Sequence, residues 1–154
     1  LDAFLREGAD FNISPFGLEP QRILRLEKTH ILVGQDTDSE SNLLEASMPW
    51  IAKLDKDDFI GLDALRRQKE EGAQRFLVGF VLKDRGIARH GHGVYVDGEL
   101  FGEVTSGAMS PSLGTALGLC YVPRGRGKIG TSLEIEVRGR KIPAEVVKTP
   151  FYKR

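Results

Sequence analysis

The chain has 154 residues, room for one domain or one and a half, and its 22 basic and 22 acidic residues give a formal net charge of zero. Hydrophobic content of 40% and charged content of 29% are ordinary for a globular chain, and the charge balance argues against a protein built to coat nucleic acid or an anionic membrane. No apolar run approaches the roughly 20 residues that a bilayer span needs. The zero hides an asymmetry: residues 1–74 carry 9 basic and 15 acidic residues, net −6, while residues 75–154 carry 13 and 7, net +6. The simpler reading is two differently solvated surfaces. Cys120 is the single cysteine, so no disulfide can form within the chain. That fits a reducing compartment, and a cytoplasmic location is the expectation.

Taken in order, residues 1–8 read as the tail of a helix, with Leu1, Phe4 and Leu5 on one face and Gly8 as its stop. A turn and a half cannot stand alone in water, so the chain is expected to continue upstream. Ser14-Pro-Phe-Gly17 is a turn, and residues 19–28 form a second helix with Pro20 in its first turn. His30–Val33 reads as a short strand, residues 34–41 as a polar loop, and residues 43–52 as an apolar cluster of undefined state. Gly61 to Glu71 is the clearest helix, stopped by Gly72.

After residue 75 the pattern changes to short runs rich in Val, Leu and Phe. Strands are expected over Phe76–Lys83, Gly93–Val96, Glu99–Thr105, Ala116–Val122, Leu133–Arg138 and Lys141–Lys148. Asp97-Gly98 and Gly139-Arg140 are the expected hairpin turns, the first a strong type I′ signal. Six strands in about 75 residues suit a barrel. The fold class is therefore α+β: a mixed helical segment over 1–74, followed over 75–154 by a six-stranded antiparallel Greek-key β-barrel domain.

Local chemistry is sparse. His90 and His92 lack the carboxylate or cysteine support of a metal site, and no metal is expected. Gly125-Arg-Gly-Lys128 lacks the spacing of a phosphate loop and opens no helix. Asp36 and Asp38 read as part of a solvated turn, Trp50 as a core residue more readily than a ligand platform, and Cys120 as a small core residue. No nucleophile–base pairing emerges, so no catalytic residue is assigned.

Several phrases carry a resemblance when taken together and in order. They include Pro15-Phe-Gly17, Leu24-Arg-Leu-Glu27, Gly34 with its acidic loop, Glu45-Ala46 with Trp50, and Asp58-Phe-Ile-Gly61. They continue through Leu77-Val-Gly-Phe80, Gly102-Glu-Val-Thr-Ser-Gly107, Ser110-Pro-Ser-Leu113 and Pro150-Phe-Tyr152. The chain resembles the C-terminal half of the glycine cleavage T-protein (aminomethyltransferase) superfamily. Leu24–Lys28 with Val33–Asp38 looks closer to the folate-binding part of the sarcosine oxidase α subunit, and Val104–Pro111 closer to T-protein, so both subfamilies stay open.

The resemblance implies tetrahydrofolate in a channel between domains, accepting a one-carbon unit from an aminomethyl-lipoyl carrier protein or from an oxidase-generated imine. Residues 1–74 would then be the remnant of upstream folate-binding domains. The acid that assists folate attack in this family belongs to the N-terminal half, which leaves the activity of this chain by itself open. The folate-contacting positions it carries over are Trp50, Tyr152 or the nearby Arg154, Gln21 in place of an arginine, and Arg75. Arg75 stands two residues from Leu77, which replaces another family arginine, and shares its strand face. The alternative expectation is a folate-independent interaction module on the same fold. A branch devoted to iron–sulfur maintenance is disfavoured, because no cysteine follows Glu27-Lys28.

Overall fold

The structure is a computed structural model and describes residues 1–153; Arg154 lies outside the described residues. Three helices and a 3₁₀ turn precede six strands. They are α1 (Asp2–Glu7), the 3₁₀ turn Ala9–Phe11, α2 (Leu18–Glu27) and α3 (Leu62–Glu71). The strands are β1 (Arg75–Leu82), β2 (Gly93–Val96), β3 (Glu99–Ser110), β4 (Thr115–Pro123), β5 (Ser132–Val137) and β6 (Arg140–Val147). All six strands pair antiparallel in the closed order β1-β4-β3-β2-β5-β6, the expected Greek-key barrel. Pairing of Gly79–Leu82 with Val147–Ala144 closes the ring.

Turn chemistry sets the register. Asp97 and Gly98 both take positive φ, 55° and 85°, as a type I′ turn requires. In the second hairpin the positive-φ pair is Arg138 (54°) and Gly139 (75°), with Val137 facing Arg140. The turn is therefore Arg138-Gly139, one residue earlier than expected: glycine serves better as the second left-handed residue of such a turn than as its first.

Two apolar cores meet back to back through the sheet. The barrel interior is filled by Phe80, Val94, Val104, Cys120, Ile135 and Val146, among others. The second core lies on the outer face, where Leu26 of α2 packs on Leu77, Ala108, Leu117 and Leu119. Strand β4 serves both, which is why Ala116–Val122 reads as an unbroken apolar run. Ten-residue α2 is too short to persist alone; burial of Leu26 to 2% exposure holds it.

The expected strand at His30–Val33 does not form. Leu32 gives its backbone N–H to the Asp36 carboxylate at 2.8 Å, and Gly34 gives its own to the Thr37 carbonyl at 2.7 Å. Only an isolated bridge, Val33 to Thr37, remains. The segment is a tight loop that caps itself, with Val33 pointing outward.

Candidate functional site

The loop after α2 carries a carboxylate that is wholly buried. Asp36 is 1% exposed, which corrects its reading as part of a solvated turn. Its Oδ2 accepts from Arg25 Nη1 at 2.6 Å and from the Leu32 N–H at 2.8 Å. Its Oδ1 accepts from Thr105 Oγ1 at 2.7 Å and Ser106 Oγ at 2.5 Å. Arg25 Nη2 and Gln35 Nε2 in turn donate to Ser106 Oγ at 2.7 and 2.9 Å. A buried carboxylate is tolerable only when paired and fully hydrogen-bonded, and this one is both.

Two neighbouring strand residues normally point to opposite faces. Thr105 and Ser106 both reach Asp36 because the β3–β4 register shifts between Val104, opposite Cys120, and Ser106, opposite Leu119. Thr105 is the extra residue of a β-bulge, and the bulge turns both hydroxyls to one side. A sequence reading cannot find this node: its members are 70 residues apart and nothing in Val-Thr-Ser announces a bulge.

One hollow opens on the node, and a larger one lies by the Trp50 segment. The smaller, about 250 Å³, lies among Gln35, Asp38, Arg75, Phe101, Glu103 and Tyr121. Arg75 lies 4.6 Å over the Tyr121 ring and places Nη2 3.5 Å from Glu45 Oε2. Burial pushes the Tyr121 phenol above its ordinary range, against opposing contributions from Ser41 and Arg75. Asp38, exposed, is held below the usual carboxylate range by the Ser41 hydroxyl and the Glu40 N–H.

The larger hollow, about 530 Å³, is lined by His30, Met48, Trp50, Leu77, Leu119 and Pro150, among others. Trp50 is 64% exposed, so it belongs to this surface and not to either core. Thr29, also on the lining, has a buried hydroxyl with no hydrogen-bond partner among the described residues and a positive φ of 58°. The chain end forms one wall: Gly79 lets Thr149 and Phe151 lie directly on β1, where an added Cβ would sit 2.4 Å from Thr149 Cγ2.

The sequence candidates do not converge on one hollow. Trp50 lines the larger and Arg75 the smaller. Gln21 is exposed on α2. Tyr152 sits at the end of α2, donating its N–H to the Glu27 carbonyl at 2.9 Å with Lys28 Nζ 5.0 Å from its ring. Arg75 and Leu77 do share the outer face of β1, and Leu77 is buried there. The histidines are otherwise engaged: His90 Nδ1 lies 3.1 Å from the Thr105 carbonyl and His92 Nδ1 accepts from the Arg89 N–H. Among the described residues no group of three or more His, Cys, Asp or Glu could hold a metal ion, and no helix is long and apolar enough to cross a membrane.

A Greek-key barrel with a helix clamped to its outer face is an architecture shared with known proteins. Residues 75–153 match the family model described as the glycine cleavage T-protein C-terminal barrel domain, and residues 1–56 match the GCVT N-terminal domain. The aminomethyltransferase of Rippkaea orientalis is 49% identical over 142 residues, covering 92% of this chain and 38% of that protein. The aminomethyltransferase of Halothermothrix orenii is 47% identical over 149 residues, covering 97% and 42%. The crystal structure of glycine cleavage system aminomethyltransferase T from Bartonella henselae superposes with a TM-score of 0.87 at 30% identity, covering 94% of this chain and 41% of that one. This chain belongs to the glycine cleavage T-protein family. It spans about two fifths of the length of these relatives.

Proposed function

We propose that the chain supplies one wall of a folate site in an aminomethyltransferase, where tetrahydrofolate accepts a one-carbon unit. The observation that carries the reading is the larger hollow. Its volume of about 530 Å³ lies within the roughly 300–1,000 Å³ usual for ligand pockets. An exposed indole on its rim offers a flat face to a pterin or aminobenzoyl ring. The Thr29 hydroxyl, unpartnered among the described residues, offers a hydrogen bond to a ligand. Folate would supply the nucleophilic nitrogen; Trp50, Thr29 and the tail around Tyr152 would hold and orient it. Arg75 and Gln21 are assigned to further folate contacts, as is Arg154, which lies outside the described residues. A lipoyl carrier protein or an oxidase subunit would present the one-carbon unit, and residues 75–154 would act as the barrel domain against which residues 1–74 dock.

Trp50 is the only tryptophan, so its emission reports directly on the hollow. Titration of the protein with tetrahydrofolate should quench it saturably, and calorimetry should show Trp50→Ala weakening binding by about tenfold or more, or 1.4 kcal/mol. Absence of saturable binding would favour the second reading, a folate-independent interaction module. Burial of Leu77, where the family has a cation, is the observation behind that alternative.

A further inference from the structure

A further hollow lies elsewhere, at the barrel mouth where β1, β3 and β5 end and β4 and β6 begin. It encloses about 830 Å³ and shares no lining residue with the Trp50 hollow. Its floor is apolar, built from Leu82, Met109, Ala116, Val137 and Ile142. Its rim is strongly basic. Arg85 and Arg89 come from the β1–β2 connection, Arg138 from the β5–β6 turn, and Arg140 from the start of β6. Among the described residues none of these four guanidinium groups takes part in a hydrogen bond or ion pair, although other arginines of the chain do. The fifth rim cation, Lys83, is paired with Glu145 at 2.9 Å. The single acid on the lining, Asp84, accepts only the Arg85 backbone N–H among the described residues.

The walls are built, not draped. Gly86 presses against β6 so closely that a Cβ would lie 2.4 Å from Ile142 Cδ1. Gly107 of β3 approaches the Ala88 carbonyl to a similar degree. Together these contacts seat the β1–β2 connection on the barrel and fix the place from which Arg85 and Arg89 project. Four unpaired like charges around one concavity repel each other and gain nothing for the fold. They do focus a positive potential over a low-dielectric floor, the arrangement that concentrates anions. Guanidinium forks match carboxylate and phosphate oxygens two at a time.

We propose that the barrel-mouth cleft is a binding site for an organic anion bearing two or more carboxylate or phosphate groups on an apolar body. The oxyanion groups reach the arginine rim, and the body lies on the Leu82–Ile142 floor. The bare inorganic anion satisfies the rim alone.

Calorimetry on the protein at low ionic strength, on the order of 50 mM, tests this with benzene-1,3,5-tricarboxylate, citrate and pyrophosphate as probes. The aromatic tricarboxylate should bind saturably with Kd below about 1 mM and more tightly than pyrophosphate. The double variant Arg138→Ala/Arg140→Ala should weaken it by about tenfold or more, as should Arg85→Ala/Arg89→Ala. Lys69→Ala, on exposed α3, and Trp50→Ala should leave it unchanged. Circular dichroism of each variant confirms the barrel. Absence of saturation with all three probes, retention of binding in both arginine pairs, or equal loss in Lys69→Ala would each overturn the site. Tighter binding of pyrophosphate than of the tricarboxylate would overturn the role of the apolar floor.

Discussion

Arg25 and Asp36 meet at 2.6 Å, and the helix that carries the first is tied to the barrel through the second. Asp36→Ala should destabilise the protein by about 3–5 kcal/mol in chemical denaturation, since Arg25 keeps a half-buried charge without its counter-ion. Asp36→Asn should recover part of that loss, because its one carbonyl oxygen still accepts from Arg25 and the Leu32 N–H, while its amide can donate to Thr105 Oγ1. Equal losses for the two variants would mean that shape, not charge, sets the node.

Ser106 is the second hub of the same network, donating to Asp36 and accepting from Arg25 and Gln35. Ser106→Ala should cost about 1–3 kcal/mol, the range for leaving buried polar groups unpaired. Paired with Arg25→Ala in a double-mutant cycle, it should be clearly non-additive; simple additivity would show that the two act separately.

Gly79→Ala tests the chain end. The new methyl would collide with Thr149 and Phe151, whereas its own φ is ordinary, so the strain is purely steric. The expected result is a loss of about 1–3 kcal/mol together with faster amide exchange over residues 149–153. Unchanged exchange there would place the tail elsewhere.

The tyrosines give a pH signature. Burial raises the Tyr121 phenol, and the hydrogen bond to Glu136 raises Tyr95, both above 10.0. The folded state thus favours the neutral phenols. The Tyr121 contribution to stability is whole below about pH 10 and is lost as pH climbs through its folded value. Ultraviolet titration of the phenolate band should show Tyr95 and Tyr121 ionising late. Tyr121→Phe should flatten the alkaline fall in stability.

Cys120 sits wholly within the barrel, and burial raises its thiol well above the ordinary value. Thiol reagents should label it only at the rate of global unfolding. Prompt labelling of the native protein would contradict the closed interior.

The barrel was readable because its signals are local. Asp97-Gly98 names its own turn, Gly72 ends α3 at φ 82°, and β4 is apolar on both faces because both faces are covered. The candidate site was much less readable, because its geometry is non-local. Asp36 looks like any loop aspartate until Thr105 and Ser106, brought round by a bulge, close over it. His30–Val33 has strand composition, yet the Asp36 carboxylate claims the Leu32 N–H that a partner strand would need. Trp50 reads as core by type, but its neighbours settle onto β1 through Glu45 and Ser47 and leave the indole outside. Arg85, Arg89, Arg138 and Arg140 are scattered in the chain and gather only because ring closure brings the β1 and β6 ends together.

That closure has a wider effect. Each of the six strands has hydrogen-bonded neighbours on both sides, so no strand is left with one whole side unpaired. A partner strand, or a second copy, therefore finds no complete open edge along which to extend the sheet. That shifts recognition toward side-chain surfaces such as the Trp50 hollow and the arginine rim. The same closure denies fibril growth a whole edge strand to start from.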